Sequence, residues 1–216
     1  GIKKKGDVTE TIDKVIGKPV YKLTGSIPSN NTITIPAQAK HSLNLNGKYV
    51  YVYCRVQTKR YFVFHLSVLT KDDTYMKISF SNLYKGYKQT IKSIAIPCHF
   101  LPNDKWTILA IDMEKFIKHK LGKTYQCLKS IECCASMTFR TVFTSNYIYA
   151  PENLPKDMYL PIAKHSEWKD QYQFEWYPEQ PFEYVTNKHV EPKIHPPTPM
   201  KNNNKKKMKK KENNNK

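Results

Sequence analysis

Few groups in this chain could do covalent chemistry. Histidine is the first place to look for a general base, and one of the seven, His65, sits mid-strand in an apolar run. A catalytic imidazole needs a carboxylate to orient it, and spacing offers none for His65. It reads as a satisfied histidine of a core or sheet face. His41, His99, His119, His165, His189 and His195 fall in predicted turns, a predicted helix or the tail, without metal-ligand spacing. Asp72-Asp73 could hold a cation, but between lysines in a hairpin turn the pair reads as turn chemistry, as does Asp104 ahead of Trp106. Cys54, Cys98, Cys127, Cys133 and Cys134 form no CxxC pair. The adjacent two would point to opposite faces of a strand. They read as small hydrophobes in a reduced compartment rather than a disulfide framework or zinc site. No G-x-S-x-G, H-E-x-x-H, P-loop or G-x-G-x-x-G motif is present. No catalytic, cofactor-binding or metal-ligating residue is assigned, and the chain reads as a non-enzyme.

Binding chemistry is the better lead. The chain carries 36 Lys+Arg against 18 Asp+Glu, a net charge of +18. The sixteen residues from Lys201 supply +7 of it, so the first 200 residues are basic in their own right at +11. Such a surface favours polyanions: nucleic acid, anionic lipid or an acidic protein. Lys59 and Arg60 fall in one predicted turn, Lys71 in the next, Lys85 and Lys88 after Phe80-Ser81-Asn82-Leu83, and Arg140 in a late strand. These six are the candidate interface residues. Tyr49, Tyr51 and Tyr53 share a strand face and could stack on bases, although filling the core between two sheets is the favoured reading. Trp168 or Trp176 could stack on a sugar ring. These give two rival readings, a nucleic-acid-binding basic β-domain and a carbohydrate-binding β-sandwich.

The elements that must position these residues are mostly strands. Residues 8–24 read as one or two strands and Thr32–Pro36 as another. Tyr49–Val56, Tyr61–Leu69 and Tyr75–Phe80 are apolar or β-branched runs separated by short polar turns, which predicts a three-stranded meander. Strands are also predicted at 94–97, 106–113, 125–135 and 137–149. In the last, Phe139, Thr141 and Phe143 would share a face opposite Arg140, Val142 and Thr144. One short helix is predicted near 113–121: Asp112 caps it, Met113, Phe116, Ile117 and Leu121 form one face, and Gly122 stops it. The fold class is therefore all-β, an antiparallel sandwich or jelly roll with one helix. Residues 1–182 form its domain. In it, 150–182 reads as a Pro- and aromatic-rich segment wrapping back on the sandwich, and 183–216 reads as a disordered Lys/Asn tail. No apolar stretch approaches the length of a membrane span. The start at Gly1 rather than Met reads as a fragment or processed product.

Several segments in order resemble the domain of the cilia- and flagella-associated protein 20 family. They are Gly6-Asp7-Val8 with Asp13-Lys14; Tyr61–Val68 leading to Phe80-Ser81-Asn82-Leu83-Tyr84-Lys85; Trp106 with Leu109 and Asp112; Leu128-Lys129-Ser130-Ile131; Arg140–Ser145; Leu154-Pro155; and Tyr159-Leu160-Pro161-Ile162. Within the family the chain is more similar to the amino-terminal domain of the centriolar WD-repeat members, on Ser79–Leu83, Cys134-Ala135-Ser136 and Ser166-Glu167-Trp168-Lys169. The resemblance implies a non-catalytic β-sandwich that binds microtubules, with tubulin and neighbouring axonemal or centriolar proteins as partners. It implies a place on the cytoplasmic cytoskeleton of a cilium, flagellum, centriole or basal body. It supplies no short motif that fixes the interface.

Overall fold

The computed structural model describes residues 1–149 apart from 26, 58, 100, 102 and 103, together with Leu154 and the backbone of Gln173–Trp176. Thirteen strands and one helix run in the order β1 Lys3–Lys5, β2 Val8–Ile12, β3 Pro19–Leu23, β4 Thr32–Ile35, β5 Tyr49–Val56, β6 Phe62–Thr70, β7 Tyr75–Ser81, β8 Lys88–Gln89, β9 Ser93–Pro97, β10 Trp106–Asp112, α1 Met113–Leu121, β11 Tyr125–Ala135, β12 Met137–Ser145 and β13 Gln173–Trp176. They form a seven-stranded sheet, β1-β4-β11-β6-β7-β9-β8, and a six-stranded sheet, β13-β10-β5-β12-β3-β2. Pairing is antiparallel except for β7 with β9 and β10 with β13. The result is the β-sandwich expected from the alternation, and the single α-helix among the described residues is the predicted one. Asp112 Oδ1 accepts from the Lys115 amide at 2.9 Å, and Gly122 closes the helix at φ 65°. No described helix is long and apolar enough to cross a membrane.

The expected meander does not form. β6 pairs with β7, but β5 lies in the other sheet, between β10 and β12. Both edges of β5 are already taken, so the 57–61 link crosses between sheets instead of closing a hairpin. The main core fills the space between the sheets. Val50, Val52, Cys54 and Val56 of β5 meet Phe64, Leu66 and Val68 of β6 and Ile78 and Phe80 of β7. Phe62, Phe64 and Phe80 stack in series. All five cysteines are free and buried.

The opposite face of β5 is covered as well. Tyr51 and Tyr53 are buried with Ile16, Val20, Trp106, Ile108, Phe143 and Leu154 in a second cluster. These tyrosines therefore fill neither the inter-sheet space nor a nucleic-acid platform. They lie under the 13–18 connection on the outside of the six-stranded sheet. β12 departs from strict alternation for the same reason. A register shift between Phe139 and Thr141 sends Phe139 and Val142 to the main core and Phe143 to the second cluster. Phe143 stacks on Tyr51 at 4.6 Å.

One buried polar node fixes that outer cover. Asp13, 8 % exposed, accepts from the Val15 and Ile16 amides at 2.9 and 3.2 Å and from the Trp106 indole at 3.1 Å, and pairs with Arg55 at 3.0 Å. The Arg55 guanidinium also lies 5.2 Å from the Trp106 ring centroid. Burial alone would raise the Asp13 pKa. The Val15 and Ile16 amides, the indole and Arg55 together outweigh it and hold the carboxyl below its ordinary value. A depressed folded pKa stabilises fully above the unfolded value and is lost as pH falls through the folded one. Acid unfolding should therefore steepen as pH drops below about 3.8. Asp13→Asn should unfold about 2 kcal/mol more easily at neutral pH, with a flatter acid limb, in denaturant melts taken across pH.

Candidate functional site

At one end of the sandwich the two sheets are stitched together by short polar loops. Gly6-Asp7 links β1, an edge of the seven-stranded sheet, to β2, an edge of the other. Gly6 has φ 72°, and a Cβ there would lie 2.0 Å from the Asn30 carbonyl oxygen, so the position requires glycine. The Asp7 amide donates to Asn31 Oδ1 at 2.9 Å, and the Thr24 hydroxyl donates to the Asp7 carboxylate. Ser136, in the β11–β12 corner, donates its hydroxyl to the Gly25 carbonyl at 2.7 Å, and its amide donates to the Tyr61 carbonyl at 3.0 Å. A shallow cleft of about 430 Å³ opens here, lined by Thr24, Gly25, Ile27, Asn30, Asn31, Gln57, Arg60 and Ser136.

The cationic turns are built into this end. Lys59 adopts φ 57° in the sheet-crossing link. Asn82 clamps that link: its Nδ2 donates to the Arg60 carbonyl at 2.8 Å, and its Oδ1 accepts from the Phe62 amide at 3.1 Å. The buried Ser81 hydroxyl donates to the Phe62 carbonyl at 2.6 Å. Lys85 lies three residues beyond Asn82, so the turns bearing Lys59, Arg60 and Lys85 are hydrogen-bonded to one another. The Lys5 ammonium, bonded to the Ser29 carbonyl at 2.8 Å, belongs to the same end. The side-chain amides of Asn31 and Asn82 are thus spent on backbone and the Asp7 carboxylate on a hydroxyl, and the cations remain at the surface.

The six expected interface residues do not share one patch. Lys59 and Arg60 lie in the link that Asn82 clamps, and Lys85 follows Asn82 in the next turn. Lys88 lies on β8, the short far edge of the seven-stranded sheet. Lys71 follows β6 at its opposite end, about 30 Å away at about 3.3 Å per residue. Its amide donates to the Thr124 carbonyl, beside an Asp72–Lys123 ion pair. Asp72-Asp73 thus does act as a turn: Asp72 accepts from the Thr70 and Thr74 hydroxyls at 2.5 and 3.1 Å. Arg140 sits at the β12 register shift, where its Nη1 donates to the Pro19 carbonyl at 2.9 Å and so braces β3.

Sequence spacing also missed the partners of His65. Strand register sets Glu132 beside it on β11 and Ser79 beside it on β7. Nδ1 is 2.7 Å from Ser79 Oγ and Nε2 is 3.8 Å from the Glu132 carboxylate. Burial, then the Lys77 charge, pushes the imidazole down to about 4, with Glu132 opposing. A carboxylate 67 positions along the chain is visible only once the register is known. Trp168 and the side chain of Trp176 lie outside the described residues, as do the rest of the 150–182 segment's side chains, apart from Leu154, and the 183–216 tail.

Asn82→Ala should leave the Arg60 carbonyl and Phe62 amide without partners. The expected result is a loss of about 1 kcal/mol in unfolding free energy and faster amide exchange confined to the 59–62 link. Exchange spread evenly through β5 and β6 would instead mean that Asn82 stabilises the whole sheet and not the turn.

The sequence profile of the CFA20 domain matches residues 2–162. The chain is 33% identical over 196 residues to WD repeat-containing protein 90 of Mus musculus, covering 78% of this chain and 10% of that protein. It is 33% identical over 189 residues to Centriole proteome protein 16 of Chlamydomonas reinhardtii, covering 87% and 9%. Identity to Cilia- and flagella-associated protein 20 of Paramecium tetraurelia is 24% over 165 residues, covering 74% and 84%. The chain spans about a tenth of the length of the first two relatives and is more similar to them than to the Paramecium protein. With a domain match that runs from β1 past Leu154, the chain belongs to the CFA20 domain family.

Proposed function

We propose that this chain is a non-catalytic docking module of a cilium, flagellum or centriole that binds the acidic surface of tubulin through its stitched end. The observation that carries the reading is the coupling of two cationic turns, Lys59-Arg60 and the Lys85 loop, through the side chains of Ser81 and Asn82. A loose basic loop attracts any polyanion. A clamped pair of turns holds the backbones that bear its charges in a fixed relation, which favours one register on a repeating partner. The names of the relatives, which refer to a centriole and to cilia and flagella, supply the setting. Tubulin is acidic, which matches the sign of the charge. The burial of Tyr51 and Tyr53 removes the aromatic platform that favoured single-stranded nucleic acid.

The test is co-sedimentation of the chain with microtubules across a salt series, with single-stranded DNA as competitor. Lys59→Glu/Arg60→Glu/Lys85→Glu should weaken binding about tenfold or more, as expected for three exposed contacts of about 0.2–1 kcal/mol each plus repulsion. Its melting temperature should stay close to the parent's. Lys71→Glu, at the other end, should pellet like the parent. Equal losses in both variants, or binding abolished by DNA, would reduce the interaction to generic polycation attraction. Unchanged pelleting of the triple variant would sink the assignment to this end.

A further inference from the structure

The outer face of the seven-stranded sheet carries a donor set that the docking role does not use. Glu132 and Cys134 are two apart on β11 and so share a face, and His65 of β6 is in register with Glu132. Cys134 Sγ is 3.6 Å from Glu132 Oε1, His65 Nε2 is 3.8 Å from the same oxygen, and the three donor atoms all lie within 4.8 Å of one another. Among the described residues this is the one such group of His, Cys, Asp and Glu.

We propose that His65, Glu132 and Cys134 form a binding site for a divalent metal of the zinc class. An imidazole, a thiolate and a carboxylate are a borderline-soft set that suits Zn²⁺ and its spectroscopic surrogate Co²⁺ rather than Mg²⁺ or Ca²⁺. Bonds of about 2.0–2.3 Å in a tetrahedral site place ligand atoms about 3.3–3.6 Å apart. The donors stand within side-chain adjustment of that. The surroundings are those of a supported site. His65 Nδ1 lies 2.7 Å from Ser79 Oγ, so with the ring proton on Nδ1 the Ser79 oxygen accepts it and Nε2 is left as the lone pair that would take the metal. The Thr34 hydroxyl, on the other flank, donates to Glu132 Oε2 at 3.5 Å. Lys77 is the competitor: its ammonium lies 3.9 Å from Glu132 Oε1 and must yield as the metal binds. Binding releases the Cys134 thiol proton, so affinity rises with pH. The Glu132 side chain is 34 % exposed, which gives the ion a path from solvent, and a water completes the coordination. The ion would tie β6 to β11 at the middle of the sheet, beside strand β4.

The experiment uses the whole chain, stripped with chelator, reduced, and titrated with Co²⁺ and then Zn²⁺. One equivalent of Co²⁺ should produce a thiolate-to-cobalt charge-transfer band that Zn²⁺ bleaches. Cys134→Ser should abolish the band, whereas Cys127→Ser, outside the group, should keep it. Ser79→Ala should weaken binding about tenfold or more while far-ultraviolet circular dichroism stays unchanged. Should Cys134→Ser fail to fold, Glu132→Gln, near-isosteric and partly exposed, replaces it and should weaken binding at least as strongly as Ser79→Ala. Absence of the band in the parent, its persistence in Cys134→Ser, or full affinity in folded Glu132→Gln would each overturn the site.

Discussion

A strand with apolar side chains on both faces cannot border water, and β5 is such a strand. Everything else in the sandwich answers that constraint. Val50, Val52, Cys54 and Val56 demand a second sheet opposite them, and the seven-stranded sheet supplies it. Tyr51 and Tyr53 demand a cover on the outside, which among the described residues no strand provides; the 13–18 connection and Leu154 do. A connection that crosses an apolar face must satisfy its own backbone away from bulk solvent. Asp13 accepts two of those amides, and the indole and guanidinium that it also engages root the connection in β10 and β5. The family-resemblance pair Asp13 and Trp106 thus has a structural reason: the two residues hold the cover on.

Much of the fold was legible in the chain because it depends on local pattern. The apolar runs became β5, β6 and β7 with nearly the expected ends, and α1 runs from its cap to Gly122 as the side-chain types required. Pairing was not legible. β5 and β6 have equally apolar texture, and texture carries no record of which sheet a strand enters. The Arg140 register shift was hidden for a related reason. Alternation predicts faces only while the ladder is regular, and a single extra residue reverses every face beyond it. Parallel pairing of β7 with β9 requires a crossover whose route is set by tertiary packing alone.

The candidate site divides in the same way. That the surface is basic could be counted. Which cations act together depends on strand direction, because Arg60 and Lys71 bracket the same strand and so must stand at opposite ends. The residues that clamp the 60–62 backbone, Ser81 and Asn82, carry no charge and drew attention only through the family resemblance. His65 shows the limit most directly: its neighbours Ser79 and Glu132 sit 14 and 67 positions away, and a sheet register is what makes them adjacent.

The two sheets therefore carry different loads. The six-stranded sheet is covered on both faces along β5, so its faces are spent on stability. The seven-stranded sheet keeps a mostly polar outer row that runs from Lys3 through Thr34, Glu132, His65 and Ser79 to Lys88, interrupted only by Ala95. A polar row of that length gives little to folding, since its groups were already solvated in the unfolded chain. Exposed charge by itself also gives little affinity. What turns such a surface into a specific one is restraint of its parts: a carbonyl clamped by Asn82 at one end, an imidazole fixed by Ser79 in the middle. In each case a neutral side chain on β7 or just beyond it engages a cationic turn or an imidazole. Under the proposed docking and metal-binding roles, specificity on this fold rests on hydroxyls and amides that never need to touch the partner.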